Sequence, residues 1–216
     1  METAKRYLIF LVGLFINALG VSFITKAALG TSPISSIPYT LSLGFTPTLG
    51  QFTIFFSLLL VVIQILLLRR KYQKIQLLQI PVSILFGYFI DLTMVWLAGL
   101  NPHSYPVKMA ALLVGCVILG FGVYTEVLAN VVMLPGEGFV KSVCTVFHTD
   151  FGLTKVCFDA GMTICAALIS LVLFSSLNGV REGTIIAALA VGLIARFFGK
   201  RLAFLKPLLF PASQAG

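Results

Sequence analysis

Charge is scarce in this sequence. Of its 216 residues only 10% are Asp, Glu, Lys or Arg, and 59% are hydrophobic, whereas an average soluble domain carries about 25% charge. A soluble fold is excluded, and the class is all-α polytopic membrane protein. Histidine is rarer still, with 2 in the chain, and no H-E-x-x-H occurs. The four cysteines, Cys116, Cys144, Cys157 and Cys165, form no C-x-x-C pair, so zinc and dithiol chemistry have no ligand pattern, and the cysteines read as small packing residues. GLIARFFGK has the wrong spacing for a phosphate-binding loop. No enzyme activity, cofactor or metal is expected. The short alternating segments of a membrane barrel are missing too.

What is present is a series of apolar runs, at 7–26, 50–68, 77–99, 108–129, 156–177 and 183–198. About 20 helical residues cross the hydrocarbon core, so these predict six spans. The basic residues before the first run could suit a signal peptide, but the run exceeds a usual h-region and lacks a small-x-small cleavage site. It reads as the first span.

The net charge is +8, yet it does not point to nucleic acid. The basic residues gather beside span ends: Lys5 and Arg6, then Arg69, Arg70, Lys71 and Lys74, then Lys200, Arg201 and Lys206. By the positive-inside rule both termini and the 69–75 loop are expected in the cytoplasm. The 100–107 loop has no Lys or Arg up to Val107 and belongs outside. This predicts a multi-pass protein of a bacterial plasma (inner) membrane, whose partners are the lipid bilayer, a small-molecule substrate and, at most, further copies of itself.

The two halves resemble each other. At an offset of 102 positions (122 − 20), Gly20-Val21 meets Gly122-Val123, Ala27 meets Ala129, Pro33 meets Pro135, Phe45 meets Phe147, Gly50 meets Gly152 and Phe56 meets Phe158; after a shift of three, Gly87 meets Gly192. The chain therefore divides into a repeat at 1–100 and a second at 101–216. Each reads as span, broken segment, span, span. If the broken segments, about 33–45 and 135–147, do not cross, each repeat has three crossings and the second is upside down, giving an inverted-topology 3+3 repeat with two re-entrant half-helices.

Those broken segments carry the candidate site. Ser32-Pro33 is a helix-start signal in which the serine hydroxyl is expected to cap the first amides; Pro135 starts the counterpart. Apolar residues precede each short helix and polar ones follow it, which predicts buried helix starts. Backbone of this kind is tolerated at membrane depth only beside protein or water, so both starts should face a cavity. Their free N–H groups favour an anion or the negative end of a zwitterion. The expected substrate contacts are Thr31, Ser32, Pro33, Ser35, Ser36, Pro135, Gly136, Glu137 and Gly138. Ionisable groups inside spans mark ion pathways, which makes Glu126, with Asn130 four residues on, the first coupling candidate. Asp91 and Arg196, four residues after the matched glycines, are the next. Asp159 is placed to pair with Lys155 on its own helix, and Arg196 can also reach the interface beside Lys200 and Arg201.

LGTSPISSIPY after the first span, the G-x-x-I-D pattern of the third and GVREGTIIAALAVGLI in the last together resemble the YczE/YitT group of bacterial integral membrane proteins, over about residues 8–200. Where members often carry a glycine-rich proline segment with an Arg-Asp pair, this chain has LPGEGFVK, with Glu137 as its acid. The resemblance implies a membrane protein with a transport role and names no substrate. The expected function is secondary transport of a small anionic or zwitterionic organic molecule. A passive channel of the same fold, and an accessory protein assisting a biosynthetic or efflux partner, are the alternatives.

Overall fold

The computed structural model describes residues 2–205 and 209; Lys206 of the C-terminal basic cluster lies outside them. Six helices are long and apolar enough to cross a membrane: α1 (Glu2–Lys26), α3 (Leu49–Leu68), α4 (Gln79–Trp96), α5 (Tyr105–Ala129), α7 (Phe151–Phe174) and α8 (Glu182–Arg201). Two shorter ones, α2 (Ser36–Gly44) and α6 (Pro135–Phe147), lie between them. No strand occurs among the described residues.

Most boundaries follow the apolar runs, and the exceptions have local causes. The fifth run was expected to begin at 156, but α7 starts at Phe151 because Asp150 accepts from the Leu153 amide at 2.9 Å and caps the helix. The first short helix is not one helix. Pro33–Ser35 forms a 3-10 turn and α2 begins only at Ser36. Pro38 has no N–H to return to the Ile34 carbonyl, and its ring crowds that carbonyl. An α-helix begun at Pro33 cannot pass it, whereas one begun at Ser36 carries it in its first turn. The expected Ser32 cap is absent: its hydroxyl donates to the Ser35 hydroxyl at 3.0 Å instead. Gly30, at φ +112, turns the chain out of α1 towards this segment, and a side chain there would strike the Thr184 hydroxyl.

The core runs along α1 and α5, where Leu14, Ala18, Val21, Ile24, Leu112, Cys116 and Leu119 are buried. Glycines set the approach of these helices. A Cβ on Gly20 would lie 2.5 Å from the Leu119 backbone nitrogen, one on Gly122 2.6 Å from that of Asn17, one on Gly115 2.8 Å from that of Ile24, and one on Gly13 3.0 Å from that of Glu126. The facing positions run in opposite order, so α1 and α5 are antiparallel. Close backbone approach at small residues is the usual means of helix association in lipid, where no hydrophobic force drives helices together.

Around this pair the remaining contacts come in matched sets. α4 packs on α1 and α8 on α5; α6 packs on α3 and α2 on α7; α2 packs on α3 and α6 on α7. One set is unmatched. α3 and α4 clasp each other at Gly50 and Gly87, where a Cβ on either would strike the other's carbonyl oxygen, whereas α7 and α8 make no comparable contact. Gly192 has no atom of another segment near its Cβ position, and Gly152 meets only the Asp150 carboxylate.

Candidate functional site

A cavity of about 280 Å³ opens at the mid-length of the long helices. α1 contributes Asn17 and Val21, α3 Thr53, Phe56, Ser57 and Leu60, α4 Phe86, α5 Leu119 and Val123, and α8 Ala187 to Ala195. Ser32, Pro33 and Ser35 enter it ahead of α2, and Pro135, Gly136 and Glu137 at the start of α6. The two segments touch: a Cβ on Gly136 would fall on the Ile34 side chain. Six of the nine expected substrate contacts therefore meet in one space.

The other three are used elsewhere. Thr31 is fully buried, with its hydroxyl 2.9 Å from that of Thr25 and its amide donating to Thr184 Oγ1 at 3.3 Å. Ser36 donates to the Pro33 carbonyl at 2.5 Å and to that of Met162 at 3.3 Å, which ties α2 to α7. Gly138 faces Gln64 and Gln79, outside the central cavity.

Glu137 is the distinctive group. Among the described residues its carboxylate has no hydrogen-bond or ion-pair partner, and it faces the cavity. Across from it, Lys155 donates to Asp159 at 2.5 Å on α7, and both line the same space. That ion pair follows its expected i,i+4 spacing.

A second cavity, of about 310 Å³, lies towards the basic end of the bundle, bounded by Gln73 to Gln79, by Glu126 to Leu134 and by Lys141. Glu137 lines both spaces. Glu126 faces the second, and its Oε1 accepts from Asn17 Nδ2 at 2.9 Å, while Asn17 itself lines the first. The partition between the cavities thus contains two carboxylates and one amide, with a single hydrogen bond spanning it. Asn130 lines the second cavity as the left-handed residue that ends α5.

Asp91 and Arg196 lie apart from this. Asp91 accepts from the Thr48 hydroxyl at 2.6 Å and the Gly50 amide at 2.8 Å, so its charge sits at the start of α3, where an anion is favoured. Arg196 is exposed on α8. Asp91→Asn is expected to cost about 1–2 kcal/mol, as a lost charge-assisted cap does, and to lower the melting temperature of the purified protein without altering what it binds.

Asn17 and Gln64 were missed by the sequence reading. Both are single amides inside apolar runs, LFINALG and VVIQILL, and that isolation is the available signal. Gln64 Nε2 donates to the Pro135 carbonyl at 3.1 Å and to Gln79 Oε1 at 3.2 Å, anchoring the start of α6.

Six helices long and apolar enough to cross a membrane, bundled around a central cavity, define a polytopic integral membrane protein. The particular group is shown by comparison. The family model described as Family of unknown function (DUF6198) matches residues 4–200, and the chain belongs to that family. It is 30% identical over 200 residues, covering 91% of this chain and 86% of the relative, to the uncharacterized membrane protein YczE of Bacillus subtilis (strain 168). No solved structure matches.

Proposed function

We propose that this protein is a secondary transporter of a small anionic or zwitterionic organic molecule, bound in the central cavity between the starts of α2 and α6. The observation that carries the reading is the convergence, on one space at the middle of the long helices, of two broken segments and a carboxylate that has no hydrogen-bond or ion-pair partner among the described residues. Non-helical backbone and unpaired charge both cost free energy at that depth, and a solute path is what offsets them.

In this reading the fold is a 3+3 inverted repeat with α2 and α6 as re-entrant helices. Its support is the antiparallel α1–α5 contact, in which the facing pairs exchange under the 102-residue offset: Gly20 on Leu119 becomes Gly122 on Asn17, and Gly13 on Glu126 becomes Gly115 on Ile24. The basic end, with both termini, is cytoplasmic, and the second cavity is the vestibule on that side. Glu126 and Glu137, in the partition, are the sites for a coupling proton or sodium ion.

A melting-temperature screen of the purified protein against metabolite classes tests the binding half, because a ligand that binds only the folded state raises stability. Reconstitution of the hits in proteoliposomes tests movement. Accumulation driven by a proton or sodium gradient, lost in Glu126→Gln protein that still folds, is the expected result. Downhill flux indifferent to every gradient would make the protein a channel. Absence of any ligand, with co-purification of a partner, would favour the accessory role.

A further inference from the structure

The two halves line the central cavity with equivalent positions but different chemistry. At the 102-residue offset Val21 matches Val123, both apolar; Ser35, Thr53 and Ser57 match Glu137, Lys155 and Asp159; all of these line the space. The first half therefore presents hydroxyls, and the second presents every ionisable side chain that lines the cavity. A ligand bound there has one charged end and one neutral end.

We propose that the central cavity takes a small zwitterion with an apolar body, its ammonium group on the Glu137 carboxylate and its acid group between Lys155 and the first amides of α6. Two carboxylates face one ammonium in this space, Glu137 and Asp159 against Lys155, and Lys155 is already held by Asp159. The remaining negative charge falls to Glu137, which has no hydrogen-bond or ion-pair partner among the described residues and shares the field of Lys155 with Asp159. A carboxylate that lacks a hydrogen-bonded partner at this depth is costly, and a donor cation is the group that relieves it. A simple amine would meet that need and nothing else. Beside Glu137, however, the first N–H groups of α6 precede its first helical bond and receive no side-chain cap, since Leu134 has none to offer. Lys155 keeps donors beyond the one used by Asp159. Acceptor oxygens one or two bonds from the ammonium satisfy both. A plain carboxylate would instead bring a third anion to Glu137 and Asp159. The rest of the wall, with Ile34, Phe86, Leu119 and Val191 among it, is apolar, which fits a hydrocarbon body extending towards the hydroxyls of the first half.

The assignment rests on the transport reading only for its purpose; binding alone tests it. Full-length protein in nanodiscs is titrated, with melting temperature as readout, with alanine, leucine and phenylalanine, each compared with its decarboxylated amine and its deaminated acid. At least one amino acid is expected to bind with about tenfold or greater preference over both of its analogues, as the loss of a charged hydrogen-bond partner implies. Glu137→Gln should erase its advantage over the acid, while Arg196→Gln, on the exposed face of α8 away from the cavity, should retain it. If none of the three amino acids stabilises the protein, if an acid matches its parent, or if Glu137→Gln keeps the preference, the assignment is overturned. Preferential binding with no movement of the same amino acid into proteoliposomes would sink the transport reading and leave the assignment standing. Gradient-driven movement of solutes without this preference would do the reverse.

Discussion

Gly20→Leu is expected to abolish accumulation of folded protein in the membrane, the largest structural effect of any single substitution considered. The added Cβ would sit 2.5 Å from the Leu119 backbone, and backbone in the centre of a helix cannot swing aside as a side chain does. Overpacking of a well-packed core costs about 1–3 kcal/mol or more. Here four carbons enter a helix–helix seam, so the upper end applies, against a total stability of roughly 5–15 kcal/mol. The whole seam is affected, because Gly13, Gly115 and Gly122 keep the same two helices in register. Size-exclusion profiles of detergent-solubilised protein would check this: the variant should aggregate or vanish, whereas Gly192→Leu, at a position with open space around it, should give a normal peak. A normal peak from both would mean that α1 and α5 do not approach as described.

Glu137→Gln is expected to reduce uptake by more than about tenfold while leaving the fold intact or firmer. Among the described residues the carboxylate has no hydrogen-bond or ion-pair partner to lose, so its replacement by an amide of the same shape removes a charge from low-dielectric surroundings without breaking a bond. That relieves a cost of about 2.5–3.5 kcal/mol, and the melting temperature should stay level or rise. A functional group that destabilises its own protein commonly behaves this way. A fall in melting temperature together with lost uptake would instead assign Glu137 a structural role at the start of α6. Glu126→Gln provides the contrast. Glu126 accepts the Asn17 amide, and glutamine can still offer an oxygen there, so its fold should also survive, yet a gradient should no longer drive accumulation.

Much of this arrangement was legible in the residues. Pro135 to Phe147 was read to its ends because proline opens that helix, and polar residues close it. Six spans followed from hydropathy alone. The matched glycines indicated a repeat, and Gly115 and Gly122 read as points of close helix contact, although Gly13, which meets Gly115 at the same offset, passed unnoticed among apolar neighbours. What sequence could not supply was the use made of each polar group. Asp91 and Glu137 are both single acids near glycines, and nothing local distinguishes a carboxylate capping α3 from one facing a cavity. The difference arises from which helix packs alongside. Ser36 and Ser35 are adjacent, yet one ties α2 to α7 and the other faces the cavity, because Pro38 moves the helix start between them.

The unequal glycine seams give the molecule a sealed edge and a slack one. Where α3 meets α4 the backbones touch, and where α7 passes α8 they stand apart, although the sequence places glycine at corresponding positions on both. Substitution should register the contrast directly: Gly87→Ala, which drives a Cβ into Ile54 and the Gly50 carbonyl, should lower the melting temperature, whereas Gly192→Ala, with nothing near its Cβ position, should leave it unchanged. Any closer approach of α7 to α8 would make Gly192→Ala costly too, so that one small residue gauges how far the slack edge stands open.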